Sequence, residues 1–332
     1  MGKRRIFSGI QPSGNLHLGN YLGAIKNWVD IYENYEAIFC VVDLHAITAP
    51  QNPKELKKKT LDIAKIYLAA GINPSKANIF IQSDVPAHCE LMWILNTITK
   101  TGELFKMTQF KDKAGIKGNF NEKFISIDVG LMNYPILMAA DILLYNASTV
   151  PVGEDQLQHV ELARDLARRF NHRFGETFTV PEALVKKESR RIMGLDDPSK
   201  KMSKSAGSKY NRIELLDTVD DIRDKIKKAT TDSGRTIEYR ENRPALRNLI
   251  NIFSLISGKK PEEIATDYRE LGYKKFKEDL TEAVINFLEP FQQRYGEILD
   301  GEVRKILEKG AQKARVIADG KIKEVKERVG LG

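Results

Sequence analysis

Cysteine is scarce: Cys40 and Cys89 are the only two in 332 residues. Two thiols cannot furnish a four-cysteine zinc or iron–sulfur framework, and their low number suits a reducing compartment, so no structural metal is expected. No apolar run reaches membrane-spanning length, and the basic first residues are not followed by the apolar segment of a secretory leader. Ile6 fails the Ser/Thr position of a myristoylation motif. The expected location is the cytoplasm. Internal repeats and low-complexity tracts are missing too, and the composition is that of a soluble globular chain. Its 53 Lys+Arg against 45 Asp+Glu give a formal charge of +8, which permits a polyanionic partner but equally describes a solvated surface.

The patterning predicts an α/β fold. Residues 6–9 read as a short strand, 20–34 have helical spacing, and Ala37-Ile-Phe-Cys-Val-Val42 is a continuous apolar run suited to a buried parallel strand. Residues 54–70 form a second helix stopped by Gly71 and Pro74, and Ala77–Ile81 a third strand. This is one βαβαβ half of a doubly wound, Rossmann-like parallel sheet, in which ligands sit beyond the carboxyl ends of the strands. Residues 86–145 are mostly helical in pattern, Thr149-Val-Pro-Val152 returns to the sheet, and a helix follows over 153–170. The stretch 181–207 lacks periodicity and marks a boundary. Beyond it the chain is Lys- and Glu-rich at helical spacing, with an apolar stripe of Val303, Ile306, Leu307, Ala314 and Ile317. The expected organisation is a catalytic domain over 1–196, with a helical insertion over about 84–135, and a helical domain over 197–332. Residues 301–332 carry nine Lys/Arg against five Asp/Glu, which fits RNA contact or a solvated face.

Two stretches carry chemistry. Phe7-Ser-Gly-Ile-Gln-Pro-Ser-Gly-Asn-Leu-His-Leu-Gly-Asn20 joins the first strand to the first helix, where glycines let backbone approach a phosphate and the helix start offers unpaired N–H groups. A glycine-rich turn that only links strand to helix is the other reading. Gly14-x-x-x-x-Gly19 has P-loop spacing, but Asn20-Tyr21 replaces the Lys-Ser/Thr pair, which removes the phosphate lysine and the magnesium hydroxyl together. The second stretch, Lys201-Met-Ser-Lys-Ser205, places two ammonium groups on a segment that also holds Gly207 and Ser208. Such charge, closing on a leaving pyrophosphate, stabilises a transition state more than a ground state; a disordered basic linker is the alternative.

Asp141 lies in the apolar helical run Tyr134-Pro-Ile-Leu-Met-Ala-Ala-Asp-Ile-Leu-Leu-Tyr145. A carboxylate there needs a partner, because burying it unpaired costs several kcal/mol. Tyr134, Met138 and Asp141 share one helical face at i, i+4 and i+7. The partner is either an unseen Arg or Lys, or a ligand donor such as an indole N–H, to which an acceptor-only carboxylate is the complement. Phe7, Met138, Val150 and Val152 are candidate apolar walls or ordinary core.

His17-Leu-Gly-Asn20 resembles the His-Ile-Gly-His signature of the class I aminoacyl-tRNA synthetases, and Lys201 to Ser205 is similar to their second signature letter for letter. Gly9-Ile-Gln-Pro-Ser-Gly14, Asp43-Leu-His-Ala-Ile-Thr48, Met138-Ala-Ala-Asp-Ile-Leu-Leu-Tyr145 and Val152-Gly-Glu-Asp-Gln156 narrow the resemblance to the bacterial-type tryptophanyl branch. It runs from Phe7 almost to the C-terminus. The resemblance implies activation of L-tryptophan by ATP, with Mg2+ carried by the nucleotide, then transfer to the 3′ end of tRNA(Trp) by a homodimer. It makes Lys201, Lys204, His17, Lys113 and Gln11 catalytic, with His17 bonding ATP phosphate without acting as a proton-transfer base. Asn20 departs from the last histidine of the general signature. ATP contacts are implied for Gln11, Pro12, Ser13, Gly19, Asn20, Gly153, Glu154, Asp155, Ile192, Lys201, Met202, Ser203, Lys204 and Ser205. Asp141 takes the indole, Tyr134 and Gln156 the ammonium group, and Phe7, Gly9, His45, Met138, Val150 and Val152 complete the amino-acid site. The dimer interface falls after Asp84 and anticodon contacts in the helical C-terminal region. A tyrosyl-tRNA synthetase, a small-molecule adenylyltransferase of the superfamily and an inactive synthetase-like RNA-binding protein are the rival readings.

Overall fold

The computed structural model describes residues 3–114, 127–185, 192–204, 206–234 and 236–332, and of Lys113 the backbone only. By internal contact the chain divides into two compact units, each assembled from separate stretches. Met1–Ser13, Trp28–Lys186 and Leu299–Gly332 make the first; Gly14–Asn27 and Lys187–Ile298 make the second. The sequence reading cuts the chain once, near residue 196, whereas contact interleaves it.

In the first unit, strands β1 (Arg5–Ile10), β2 (Glu36–Val41), β3 (Ala77–Ile81), β4 (Thr149–Pro151) and β5 (Glu182–Leu184) form one sheet in the order β3-β2-β1-β4-β5. Every pairing is parallel, with Phe7 opposite Ile38, Gly9 opposite Cys40 and Ile6 opposite Thr149. The β2 run Ala37 to Val41 is buried throughout, as a central strand covered on both faces requires. β5 lies in the stretch that lacked periodicity. It is a three-residue edge strand with exposed ends, too short to show a pattern in sequence. The helix Pro53–Ala69 starts where the Asn52 side chain accepts from the N–H groups of Lys54 and Glu55. It stops before Gly71, whose φ of 106° suits glycine.

The last helix, Asp300–Val329, buries Val303, Leu307, Ala311, Ala314, Ala318, Ile322 and Val325. The expected Ile306 and Ile317 flank this stripe half-buried. A Cβ at Gly310 would lie 1.8 Å from the carbonyl oxygen of Ile79, so the helix seats directly on the backbone of β3. Arg315 donates to the Asp84 carbonyl at 2.7 Å and Lys326 pairs with Glu90 at 2.9 Å. The C-terminal helix therefore belongs to the sheet-bearing unit.

The second unit is helical. Val219–Lys228, Pro244–Ser257, Pro261–Tyr268 and Gly272–Glu297 bury Ile222, Leu246, Leu249, Ile264, Phe276, Leu280 and Val284. The helix expected over 20–34 begins at Leu18 and widens into a π-helical turn over Tyr21–Ile25. Tyr21 there meets Phe287 and Phe291 edge-on at 5.6 and 5.7 Å. Among the described residues, no helix is long and apolar enough to cross a membrane.

Candidate active site

Strand order reverses about β1, and the chain leaves the carboxyl ends of β1, β2 and β3 through Gln11, Asp43–Ala46 and Gln82–Asp84. These exits converge. Gln11 donates to the His45 carbonyl at 2.6 Å, and Gln82 accepts from the Leu44 N–H at 3.1 Å. On the helix Val129–Leu143, in hydrogen-bond reach of these exits, sits Asp141, 1% exposed. Its Oδ1 accepts from Gln82 Nε2 at 2.7 Å and from His88 Nδ1 at 2.6 Å; its Oδ2 accepts from His45 Nε2 at 2.8 Å. No Arg or Lys is among the described partners, so the ion-pair reading of Asp141 is replaced by a histidine and glutamine cage. Burial alone would raise this carboxyl's pKa, but the hydrogen bonds from His45 and His88 outweigh it and hold the value at about 2. The group is an anion at neutral pH.

Around this anion, the Tyr134 ring lies edge-on to His45 at 6.3 Å, and its hydroxyl meets His159 Nε2 at 3.0 Å. Burial pushes the Tyr134 phenol up. Phe7 stacks on Tyr145 at 5.6 Å, and Phe7, Met138, Val150 and Val152 fall in one apolar cluster. A Cβ at Gly9 would come within 2.8 Å of the Cys40 carbonyl oxygen and of Val42, so only glycine fits between β1 and β2 there. Pro12 is buried and Ser13 half-buried. Gly153, Glu154 and Asp155 are exposed on the turn after β4, where Asp155 accepts from Gln156 at 3.1 Å and from Gln109 at 3.1 Å. Lys113 ends the helix Thr108–Lys113, its side chain outside the described residues.

The second unit holds a separate polar centre. The segment before Leu18 pairs with the strand-like stretch around Glu214: Leu18 N–H donates to the Ile213 carbonyl at 2.8 Å, and Leu215 N–H to the Leu16 carbonyl at 2.9 Å. Asn15 donates to Glu214 at 2.7 Å, and Arg212 pairs with the same carboxylate at 2.9 Å. This buries His17, 2% exposed, with Asn20 Oδ1 accepting from the His17 N–H at 3.2 Å. Its Nδ1 has no hydrogen-bond partner among the described residues. Burial, followed by the positive charges of Lys204, Arg212 and Lys201, lowers the His17 pKa to about 3. Gly14, at φ 63°, lets Lys204 close in: a Cβ there would stand 3.1 Å from Lys204 Cβ. A Cβ at Gly19 would stand 3.1 Å from the His17 ring and 3.6 Å from Met202 Sδ.

Main-chain contacts hold the lysine-bearing loop in place. Met202 N–H donates to the Ile192 carbonyl at 3.1 Å, Lys201 pairs with Met193 as an antiparallel bridge, and Ser203 N–H donates to Asn211 Oδ1 at 3.1 Å. Asn248 holds both the N–H and the carbonyl of Met193 at 2.9 Å. Ile192 and Met202 are buried beneath, while Lys201 is exposed and Lys204 half-buried. Ser205 lies outside the described residues.

Gln82, His88, Asn211, Arg212 and Glu214 were missed as site residues from sequence. Gln82 follows β3 as His45 follows β2, so its place at a strand's carboxyl end was the available signal. His88 had none.

A parallel sheet whose strand exits converge on a buried anion defines a doubly wound ligand-binding fold, and the two signatures give it a class. Residues 2–289 match the family described as tRNA synthetases class I (W and Y), and the chain belongs to that family. Within it, the tryptophan–tRNA ligase of Clostridium tetani is 51% identical over 298 residues, 90% of this chain and 86% of that protein. The tryptophanyl-tRNA synthetase of Mycoplasma pneumoniae superposes with a TM-score of 0.88 at 36% identity, covering 100% of this chain and 99% of that one. The Campylobacter jejuni tryptophanyl-tRNA synthetase, complexed with ADP and tryptophan, gives 0.82 at 37% identity over 98% and 100%.

Proposed function

We propose that this chain is a tryptophan–tRNA ligase, which activates L-tryptophan with ATP to the adenylate and transfers the aminoacyl group to tRNA(Trp). The observation that carries the reading is Asp141: an anion at the carboxyl ends of the strands, caged by donors, beside apolar side chains. An indole offers one polar feature, a donor N–H, to such an acceptor. The family alone spans tryptophan and tyrosine enzymes; the relatives named above are tryptophan ones.

In the first step the tryptophan carboxylate attacks the α-phosphorus of ATP and pyrophosphate leaves. In the second, a ribose hydroxyl of the terminal adenosine attacks the acyl carbon. Lys201 and Lys204 meet the charge that develops on the pyrophosphate, so positioning and electrostatics carry the first step without a side-chain nucleophile. With a pKa near 3, His17 is a poor base at neutral pH but a neutral imidazole able to donate one N–H to a phosphate oxygen. The donor set around it is cationic and fits phosphates better than a directly held metal, so Mg2+ is assigned to the nucleotide, whose charge it neutralises. Gln11, whose side chain is held by the His45 carbonyl, and Gln156, after β4, are assigned to the substrates. A cytoplasmic homodimer with its interface after Asp84 and tRNA contacts from the helical C-terminal region completes the proposal. Trp93, 71% exposed on the helix Ala87–Asn96, supports an interface there.

ATP/pyrophosphate exchange with each of the twenty amino acids tests the activity. Exchange supported by tryptophan is expected, and exchange with tyrosine instead contradicts the reading. tRNA affinity is expected to fall with salt, as phosphate neutralisation requires; a flat titration removes the electrostatic part.

A further inference from the structure

We propose that His88, locked by Tyr145 and assisted by Gln82, is a positioning residue that leaves one oxygen of Asp141 open for a ring N–H and so sets amino-acid choice. The proposal rests on the reading of Asp141 as the indole acceptor. The two carboxylate oxygens are not equivalent. Oδ1 takes two donors, Gln82 and His88, while Oδ2 takes His45 alone and keeps a second acceptor position. Oδ1 is thereby anchored to the turn after β3 and to the helix Ala87–Asn96. Oδ2 lies on the side of His45, the partner with residual exposure at 12% and the one beside the Tyr134 ring.

The proton arrangement follows from the contacts. An ionised carboxylate only accepts, so His88 Nδ1 carries the hydrogen at 2.6 Å from Oδ1. With Nδ1 donating, a neutral ring has Nε2 left to accept from the Tyr145 hydroxyl at 2.8 Å. Tyr145 is suited to donate there: burial, then the nearby Cys40 and Asp141, raise its pKa and keep the hydroxyl protonated. Its ring is clamped by Phe7, 5.6 Å away and nearly parallel, and by Phe80 edge-on at 5.8 Å. Without the hydroxyl, Nε2 loses its donor and the ring loses the contact that fixes its plane, so His88 can swing away from Oδ1. Asp141 would then lose a donor and its fixed orientation. Gln82 and His88 are both wholly buried, so this order is built into the core and does not depend on solvent.

A brace that only stabilised the core would affect all amino acids alike; a positioning group changes discrimination. The test is ATP/pyrophosphate exchange by the full chain with L-tryptophan and with its benzothiophene analogue, in which sulfur replaces the ring N–H. The proteins are wild type, Tyr145→Phe, His88→Ala and His88→Asn, whose amide stands near the Nδ1 position. Wild type is expected to prefer tryptophan. Tyr145→Phe and His88→Ala are expected to lower kcat/KM for tryptophan about tenfold, through KM, and to leave the analogue within about twofold. His88→Asn is expected to recover most of the preference. Tyr145→Phe is nearly isosteric and keeps the test valid if His88→Ala fails to fold. Equal losses for both amino acids, or no change in their ratio in Tyr145→Phe, overturn the proposal while tryptophan activation stands. A wild type that does not use tryptophan overturns both.

Discussion

Asp141 and His17 are buried almost equally, at 1% and 2% exposure, and their surroundings act on them in opposite ways. Around Asp141 three donors stabilise a negative charge that is present before any ligand arrives. Around His17, burial and three cations oppose a positive charge, and the ring's Nδ1 has no described partner. The first centre is complete as it stands, which suits recognition of a ground state. The second gathers positive charge that an arriving polyphosphate would answer, and such a field gains most as charge develops on the leaving group. The proposed function thus assigns recognition and rate enhancement to different units of the chain, each with its own electrostatic logic.

Substitutions that strike one centre should leave the other's parameter alone. The largest effect is expected for Lys204→Ala, about 2 to 4 kcal/mol in the barrier to adenylate formation with little change in tryptophan affinity, read by single-turnover kinetics at saturating ATP. Asp141→Ala is expected to lower kcat/KM for tryptophan by a similar amount. It also leaves His45, Gln82 and His88 with buried unsatisfied donors, so a loss of about 3 kcal/mol of stability should accompany it in denaturant titration. Asp141→Asn, which keeps an acceptor, should separate the two losses.

A smaller effect is expected away from both centres. Gly310→Ala would press a methyl against the Ile79 carbonyl and displace the last helix, costing about 1 to 3 kcal/mol by thermal or chemical unfolding. The smallest effect is in acid. The folded His17 pKa of about 3 lies below its ordinary 6.5, so between these values the unfolded chain binds more protons and stability falls as pH falls. His17→Gln should remove that slope, worth about 0.7 kcal/mol between pH 7 and 6. Asp141 acts lower: its stabilising share is full above its ordinary 3.8 and is lost as pH falls toward about 2. A stability slope between pH 7 and 5 that is the same in His17→Gln as in wild type would show that the ring is not held neutral by its surroundings.

Much of the first unit was legible in the sequence, because buried parallel strands announce themselves as apolar runs between helical patterns. β1 to β4 lie within a residue or two of the expected positions. β5 was not legible, since three residues with exposed ends carry no period. The stripe on the C-terminal helix was visible, but not its destination. Only the close approach of Gly310 to β3 reveals that the helix serves the sheet, and a single glycine in a Lys-rich helix looks like a propensity defect. At the sites, helical spacing put Tyr134, Met138 and Asp141 on one face, and Asp141 was left between a cationic partner and a ligand donor. His45, Gln82 and His88 answer that choice from three other segments, and their convergence depends on strand order, which no local pattern encodes. The depressed pKa of His17 was equally hidden. It arises from burial by the stretch around Glu214 and from Arg212, almost two hundred positions away.

The division of labour is tested most directly by single-turnover adenylate formation across a tryptophan titration, comparing wild type with Lys204→Ala and Asp141→Asn. Lys204→Ala is expected to lower the plateau rate and leave the half-saturating tryptophan concentration in place, and Asp141→Asn to raise the half-saturating concentration with a plateau close to wild type. If both substitutions moved the same parameter, the two centres would not be separate in function, and the assignment of recognition to one and rate enhancement to the other would be contradicted.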